Sequence, residues 1–197
     1  MFLAPGRLDE ASLHLPRVIC FHGGGTNSDI FRLQCRGLAK ALQTAFRLCF
    51  VEAPYATQPG PDVVWAFKDM GPFRSWLPTR DEDRVRGHRE ATKLVDNAVR
   101  DAMDKDDKYG ADGEWVGLMG FSQGAKLCAS ILATQQHRSE MLEMVPTWPL
   151  FRFGVLLAGR GPLVWMDESL EVPTGLVDAS IACKAEPGNL PDFPPEL

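Results

Sequence analysis

The pentapeptide Gly120-Phe-Ser-Gln-Gly124 constrains this chain more than any other feature. It follows the apolar run Trp115-Val-Gly-Leu-Met119 and precedes a segment that carries Ala125, Cys128, Ala129 and Leu132 at helical spacing. A Gly-x-Ser-x-Gly pattern in that setting predicts a sharp strand-turn-helix elbow over Trp115 to Thr134, with the serine at its apex. The flanking glycines have a steric reason, because a side chain at either place would collide with the neighbouring strand or helix. Such a turn lifts Ser122 Oγ above the sheet at a helix N-terminus, where backbone N–H groups and the helix dipole favour developing negative charge. Ser122 is therefore the candidate nucleophile. A Gly-Ser turn without chemistry fits the pentapeptide alone, but the strand and helix around it favour the elbow.

The rest of the chain reads as the sheet that such an elbow needs. Strands are expected at Arg17–Phe21, Leu48–Val51, Trp115–Met119 and Phe153–Ala158, each a near-continuous apolar run. Thr26-Asn-Ser-Asp29 is helix-starting chemistry, and Phe31, Cys35, Leu38, Ala39 and Leu42 would share one face of the helix that follows. A second amphipathic helix, roughly Asp83 to Met103, has Ala91, Leu94, Val95, Ala98 and Ala102 on its apolar stripe. Apolar strands alternating with helices predict an α/β fold, a mostly parallel sheet covered on both faces. Between Ala56 and Arg84 the composition shifts to Pro, Gly and aromatics without a regular period, as expected of an ordered functional loop. Asp101 to Lys108 reads as the solvated end of the second helix, and its spacing does not suit a metal loop.

His22-Gly-Gly-Gly25, directly after the first strand, supplies the second half of an acyl-transfer site. Two N–H donors must point at the oxyanion, and a glycine-rich loop lets the backbone come close. Gly24 N–H and Gln123 N–H are the expected donors, with His22 orienting the loop rather than moving protons. Phosphate binding by this loop is the alternative, but neither a Gly-Lys-Ser/Thr ending nor Gly-x-Gly-x-x-Gly spacing is present. The base is harder to find. In a hydrolase of this type the acid and histidine follow the serine. The only later histidine is His137, expected on the surface near the end of the elbow helix, while His14 and His88 read as surface residues. Asp178 has no apolar strand leading into it, and Asp167 is no better placed.

Composition narrows the setting. The chain has 197 residues and a net charge of −5 without a basic face, so one domain is expected and nucleic acid is not an expected partner. No apolar run is long enough to cross a bilayer and the start lacks secretory-signal chemistry, which points to the cytoplasm and away from a membrane. Cys20, Cys35, Cys49, Cys128 and Cys183 form no Cys-x-x-Cys pair and read as reduced core residues. The Pro-rich tail, residues 184–197, is expected to be irregular.

With these residues in place, the chain resembles the fungal serine hydrolase family of small α/β-hydrolases, which includes polyketide-releasing thioesterases. The matching segments are Val18 to Asn27, Phe50 to Tyr55, Gly71 to Trp76, Gly117 to Ala125 and Gly154 to Leu163. The resemblance implies hydrolysis of a carboxylic ester or acyl thioester through an acyl-serine, without metal or organic cofactor. It also implies an acyl substrate, small or carrier-bound, with a polyketide synthase carrier domain as the possible partner. Family members continue with two further strand-loop units that bear the catalytic Asp and His, so the resemblance makes this a truncated domain lacking the last strands. Only Ser122 is carried over from the triad, and Phe153–Ala158 would be left as an apolar sheet edge. Two functions follow: a serine esterase or thioesterase, or an impaired remnant that binds an acyl chain along Trp65 to Trp76.

Overall fold

A computed structural model describes residues 10–79, 87–141, 148–159, 162–167 and 174. Its centre is a parallel four-stranded sheet: β1 (Arg17–Phe21), β2 (Arg47–Val51), β5 (Trp115–Phe121) and β6 (Phe153–Leu157), in the order β2-β1-β5-β6. A separate antiparallel pair joins β3 (Tyr55–Ala56) to β4 (Arg74–Ser75). The helices are α1 (Ser28–Gln34), α2 (Arg36–Leu42), α3 (Pro61–Phe67), α4 (Gly87–Lys108) and α5 (Gln123–Gln136), with a π-helical turn at His137–Met141.

Alternation along β1 explains the layers. Val18 and Cys20 point to one face and pack with Met119, Phe31 and Cys35, which places α1 there. Ile19 and Phe21 point to the other face and pack with Leu118, with Val95 and Val99 of α4, and with Leu127 and Ile131 of α5. Both faces of the sheet are thus covered, as an α/β-hydrolase-type fold requires. All five residues of β1 are buried, and each large apolar side chain so removed from water stabilises the fold by about 1.5–3 kcal/mol. Gly117 sits mid-strand for a packing reason: a Cβ there would lie 2.5 Å from the Phe153 ring of the neighbouring strand.

Three expectations need correction. The single helix expected after Thr26 is broken at Cys35, whose φ of −82° and ψ of 3° end α1 and begin α2. Phe31 and Cys35 are buried, whereas α2 buries no residue and leaves Leu38 exposed, so the apolar spacing beyond Cys35 does not face the core. The excursion after Tyr55 is not uniformly irregular: it holds β3, α3 and β4, and it includes Trp76, which is fully buried. Finally, α4 runs on to Lys108 and its end is not simply solvated. Asp106 is buried, paired with Arg47 Nη2 at 2.6 Å and with Arg17 Nη1 at 3.3 Å, two arginines at the starts of β2 and β1.

Among the described residues β6 is an outer strand, with Val155, Leu156 and Leu157 exposed, which agrees with the apolar edge expected there. Cys20, Cys35, Cys49 and Cys128 are free thiols, and burial pushes each of them above the ordinary cysteine range. That is the behaviour of core residues rather than nucleophiles. No described helix is long and apolar enough to cross a membrane. Cys183, Asp178 and residues 184–197 lie outside the described residues.

Candidate active site

Three segments meet at the carboxyl ends of β1 and β5. The first is the elbow. Ser122 has φ 52° and ψ −113°, a left-handed backbone that costs a non-glycine residue about 1–3 kcal/mol. The neighbouring glycines are there because nothing else fits. A Cβ on Gly120 would lie 2.3 Å from the Gly124 carbonyl carbon, and one on Gly124 would lie 2.2 Å from the Phe21 carbonyl oxygen. Helix α5 therefore rests directly on β1 and β5. Ser122 N–H donates to Leu157 O at 2.8 Å, so the end of β6 straps the turn as well. The serine is partly exposed at the N-cap of α5, and among the described residues no side chain hydrogen-bonds its hydroxyl.

The second segment is the loop His22 to Thr26. His22 is fully buried under it, with Nδ1 2.7 Å from Gly23 O and 3.1 Å from Thr26 Oγ1. On the far side of the ring, Nε2 lies 3.2 Å from Ala53 N and 3.1 Å from Glu52 Oε1. Only a protonated Nδ1 can donate to the Gly23 carbonyl, so Nδ1 carries a hydrogen, while Nε2 faces both Ala53 N and the Glu52 carboxylate. Glu52 is half-exposed. Burial pushes its carboxyl up, but His22 and the Ser28 hydroxyl at 3.1 Å outweigh this and hold it below its usual range. The His22 ring is thus occupied at both nitrogens by its own loop and strand end, which agrees with an orienting role.

The third segment is β4 and the residues after it. Gln123 Oε1 accepts from Trp76 N–H at 2.7 Å and from Ser75 Oγ at 3.1 Å. The same carboxamide lies 3.2 Å from the point a Cβ on Gly24 would occupy. Trp76 Nε1–H donates to His22 O at 2.8 Å, and its ring packs edge-on to Phe21 at 5.0 Å. Gly24, Ser122 and Gln123 are therefore brought into one neighbourhood, with Trp76 beneath them as a pin. No described group accepts the Gly24 N–H.

A strained serine at a helix N-terminus beside a glycine loop is the arrangement of serine hydrolases. The chain matches the family described as Serine hydrolase (FSH1) over residues 11–174. It belongs to that family. Curated relatives agree. Esterase pigG of Monascus ruber is 53% identical over 190 residues, covering 91% of this chain and 67% of the relative. Esterase dbaE of Emericella nidulans is 48% identical over 198 residues, covering 98% and 69%. Esterase claE of Penicillium crustosum is 48% identical over 173 residues, covering 88% and 65%. This FSH1-family chain thus spans about two thirds of the length of these relatives.

The other histidines lie elsewhere in the FSH1-family chain. His14 is exposed and pairs with Asp112 at 2.7 Å, as its surface reading requires. His88 and His137 are both partly exposed: His88 Nε2 lies 3.2 Å from Asp167 O, and the His137 ring stands edge-on to buried Trp165 at 5.2 Å. Asp167 is buried and paired with Arg138. Four contributors escaped the sequence reading: Thr26, Glu52, Ser75 and the side chain of Gln123. Thr26, directly after the glycine run, is the one that spacing alone could have suggested.

Proposed function

We propose that this chain carries the nucleophile and oxyanion elements of a serine esterase or thioesterase. Ser122 Oγ attacks the acyl carbonyl carbon, the carbonyl oxygen takes the negative charge, and the N–H groups of Gly24 and Gln123 receive it. Collapse expels the alcohol or thiol, which leaves with the serine proton. Water then cleaves acyl-Ser122 to the carboxylic acid. The observation that carries this reading is the backbone of Ser122 at φ 52°, wedged between two glycines that admit no Cβ. A protein keeps such strain where the surrounding structure enforces it, and functional sites are where it collects. The chemistry calls for neither metal nor organic cofactor.

The names of the relatives support an ester substrate. The family resemblance further supports an acyl chain of polyketide origin, small or held on a synthase carrier domain, in secondary metabolism. Buried free thiols fit a reducing, cytoplasmic setting. A second reading, an impaired acyl-binding protein, is favoured by one observation: no described side chain hydrogen-bonds the Ser122 hydroxyl. In serine proteases loss of the histidine lowers kcat by about 10⁶, leaving about 10³–10⁴ over water from the oxyanion hole and binding.

The test is hydrolysis of short acyl esters and acyl thioesters by the 197-residue protein, beside Ser122→Ala, with circular dichroism on both. Turnover that vanishes in Ser122→Ala supports the esterase, and the ratio of thioester to ester rates assigns the leaving group. A folded protein without turnover supports the impaired reading.

A further inference from the structure

An oxyanion hole works only if its donor is left unused by the protein and is held still before the charge arrives. The loop from His22 to Thr26 meets the first condition at one N–H. Gly25 N–H donates to Arg74 O at 2.9 Å, whereas the Gly24 N–H has no acceptor among the described residues. Around it the loop is tied down carbonyl by carbonyl. His22 O accepts from Trp76 Nε1, Gly25 O from Gly60 N at 3.0 Å, and Thr26 O from Arg74 N at 2.7 Å. Gly23 O is held most firmly, since it accepts from Thr26 Oγ1 at 3.0 Å and faces His22 Nδ1 at 2.7 Å.

That carbonyl belongs to the same planar unit as the Gly24 N–H. In a trans peptide the two point in opposite directions, so fixing one aims the other. We propose that His22 and Thr26 are positioning residues of the oxyanion hole, which clamp the Gly23 carbonyl and so hold the Gly24 N–H free and aimed away from the protein's own acceptors. The two groups interlock. Thr26 has a single hydroxyl proton, which goes to Gly23 O, and its lone pair faces the His22 Nδ1–H at 3.1 Å. Ala53 N and Glu52 Oε1 at Nε2, 3.2 and 3.1 Å away, hold the far side of the ring in place. Both side chains are buried, at 0% and 4% exposure, so no water competes for these bonds. Glycine at position 24 serves the same end, because a side chain there would press on the Gln123 carboxamide.

The inference rests on Ser122 being the nucleophile, and the experiment separates the two. A fluorophosphonate probe reacts by forming an O–P bond at Ser122 and releasing fluoride, with the serine proton passing to solvent; its phosphoryl oxygen sits where the oxyanion would. The rate of labelling is measured on the whole chain with Ser122→Ala, Thr26→Val, Thr26→Ser, His22→Ala and His22→Asn, together with the Tm of each. Thr26→Val keeps the shape and removes the hydroxyl, and it is expected to slow labelling about tenfold, with His22→Ala slower by about 10², the cost of a misplaced oxyanion donor. Thr26→Ser restores the hydroxyl. His22→Asn puts an amide N–H near the place of Nδ1 and recovers most of the rate even where Tm has fallen. Should Thr26→Val and His22→Ala lower Tm yet label at the wild-type rate when folded, the clamp is merely structural and the proposal is overturned while Ser122 keeps its role. If the wild type is not labelled, or Ser122→Ala is labelled equally, the nucleophile reading fails and the clamp falls with it.

Discussion

The two ends of β1 treat polar groups in opposite ways. At the amino end, Arg17, Arg47 and Asp106 are buried and engage one another: both Asp106 oxygens accept from Arg47 Nε, at 2.9 and 3.0 Å, Arg17 Nε donates to Gly113 O, and Arg47 Nη1 donates to Ser12 Oγ at 2.8 Å. At the carboxyl end the Ser122 hydroxyl and the Gly24 N–H are left without acceptors or donors among the described residues, and the backbone is strained. One end closes its polar groups on one another, and the other leaves one hydroxyl and one N–H unused among the described residues. The lesson is a division of labour along one strand five residues long. A closed polar cluster locks α4 to the sheet, and the rigid sheet can then carry a turn that would not hold its shape alone.

Changes at either end should break this comparison in opposite senses. Asp106→Ala leaves buried Arg47 without its carboxylate, while Arg17 keeps Asp107, and is expected to lower unfolding free energy by about 3–5 kcal/mol, read by urea denaturation. The labelling rate of Ser122 in the folded fraction should not change, and a fall there would show that the two ends are coupled. The same carboxylate sets an acid limit. Burial pushes Asp106 up, but Arg47 and Arg17 outweigh it and hold it below the usual range. Its stabilisation is therefore complete above the unfolded aspartate value, about 3.9, and is lost as pH falls through the lower folded value. Asp106→Asn should flatten the stability profile in that acid window.

Gly124→Ala acts at the other end. Its Cβ meets Phe21 O at 2.2 Å, so α5 must lift from β1 and carry Ser122 and Gln123 with it. Labelling should fall by about 10², the effect of shifting a reacting group by an ångström. Unchanged labelling would mean that the helix can move without moving the site. The smallest effect is expected at Trp65, which is 92% exposed on α3, unlike buried Trp76. Trp65→Ala should change stability by less than about 0.5 kcal/mol, and a rise in KM for long acyl esters but not short ones would identify it as an acyl contact.

The contrast between Trp65 and Trp76 also marks how far the sequence could be read. Both lie in one aromatic stretch without a regular period, and only the packing separates a surface ring from a core ring that donates to His22 O. The elbow was legible because most of its causes are local: the apolar run of β5, the helical spacing of α5, and Gly120, whose side chain would clash with Gly124 in the same motif, whereas Gly124 is required by the distant Phe21 carbonyl. That both faces of the sheet are covered followed in the same way, from the near-continuous apolar runs of its strands. The helix break at Cys35 was not legible, because leucine and alanine at positions 38, 39 and 42 keep helical spacing whether or not that face meets the core.

By itself, then, the sequence determined the elements that nearest neighbours along the chain dictate: the strands, the strained serine turn and the glycine loop at the end of β1. The tertiary structure alone decided which distant side chains complete them. Asp106 meets Arg47 from 59 positions away, Gln123 reaches Trp76 from 47, and His22 meets Ala53 from 31. Periodicity carries no information about such pairs. A charged or amide side chain at the end of a helix looks the same in sequence whether it faces water or a buried partner, and only the folded sheet, by fixing which strand ends lie side by side, makes the difference.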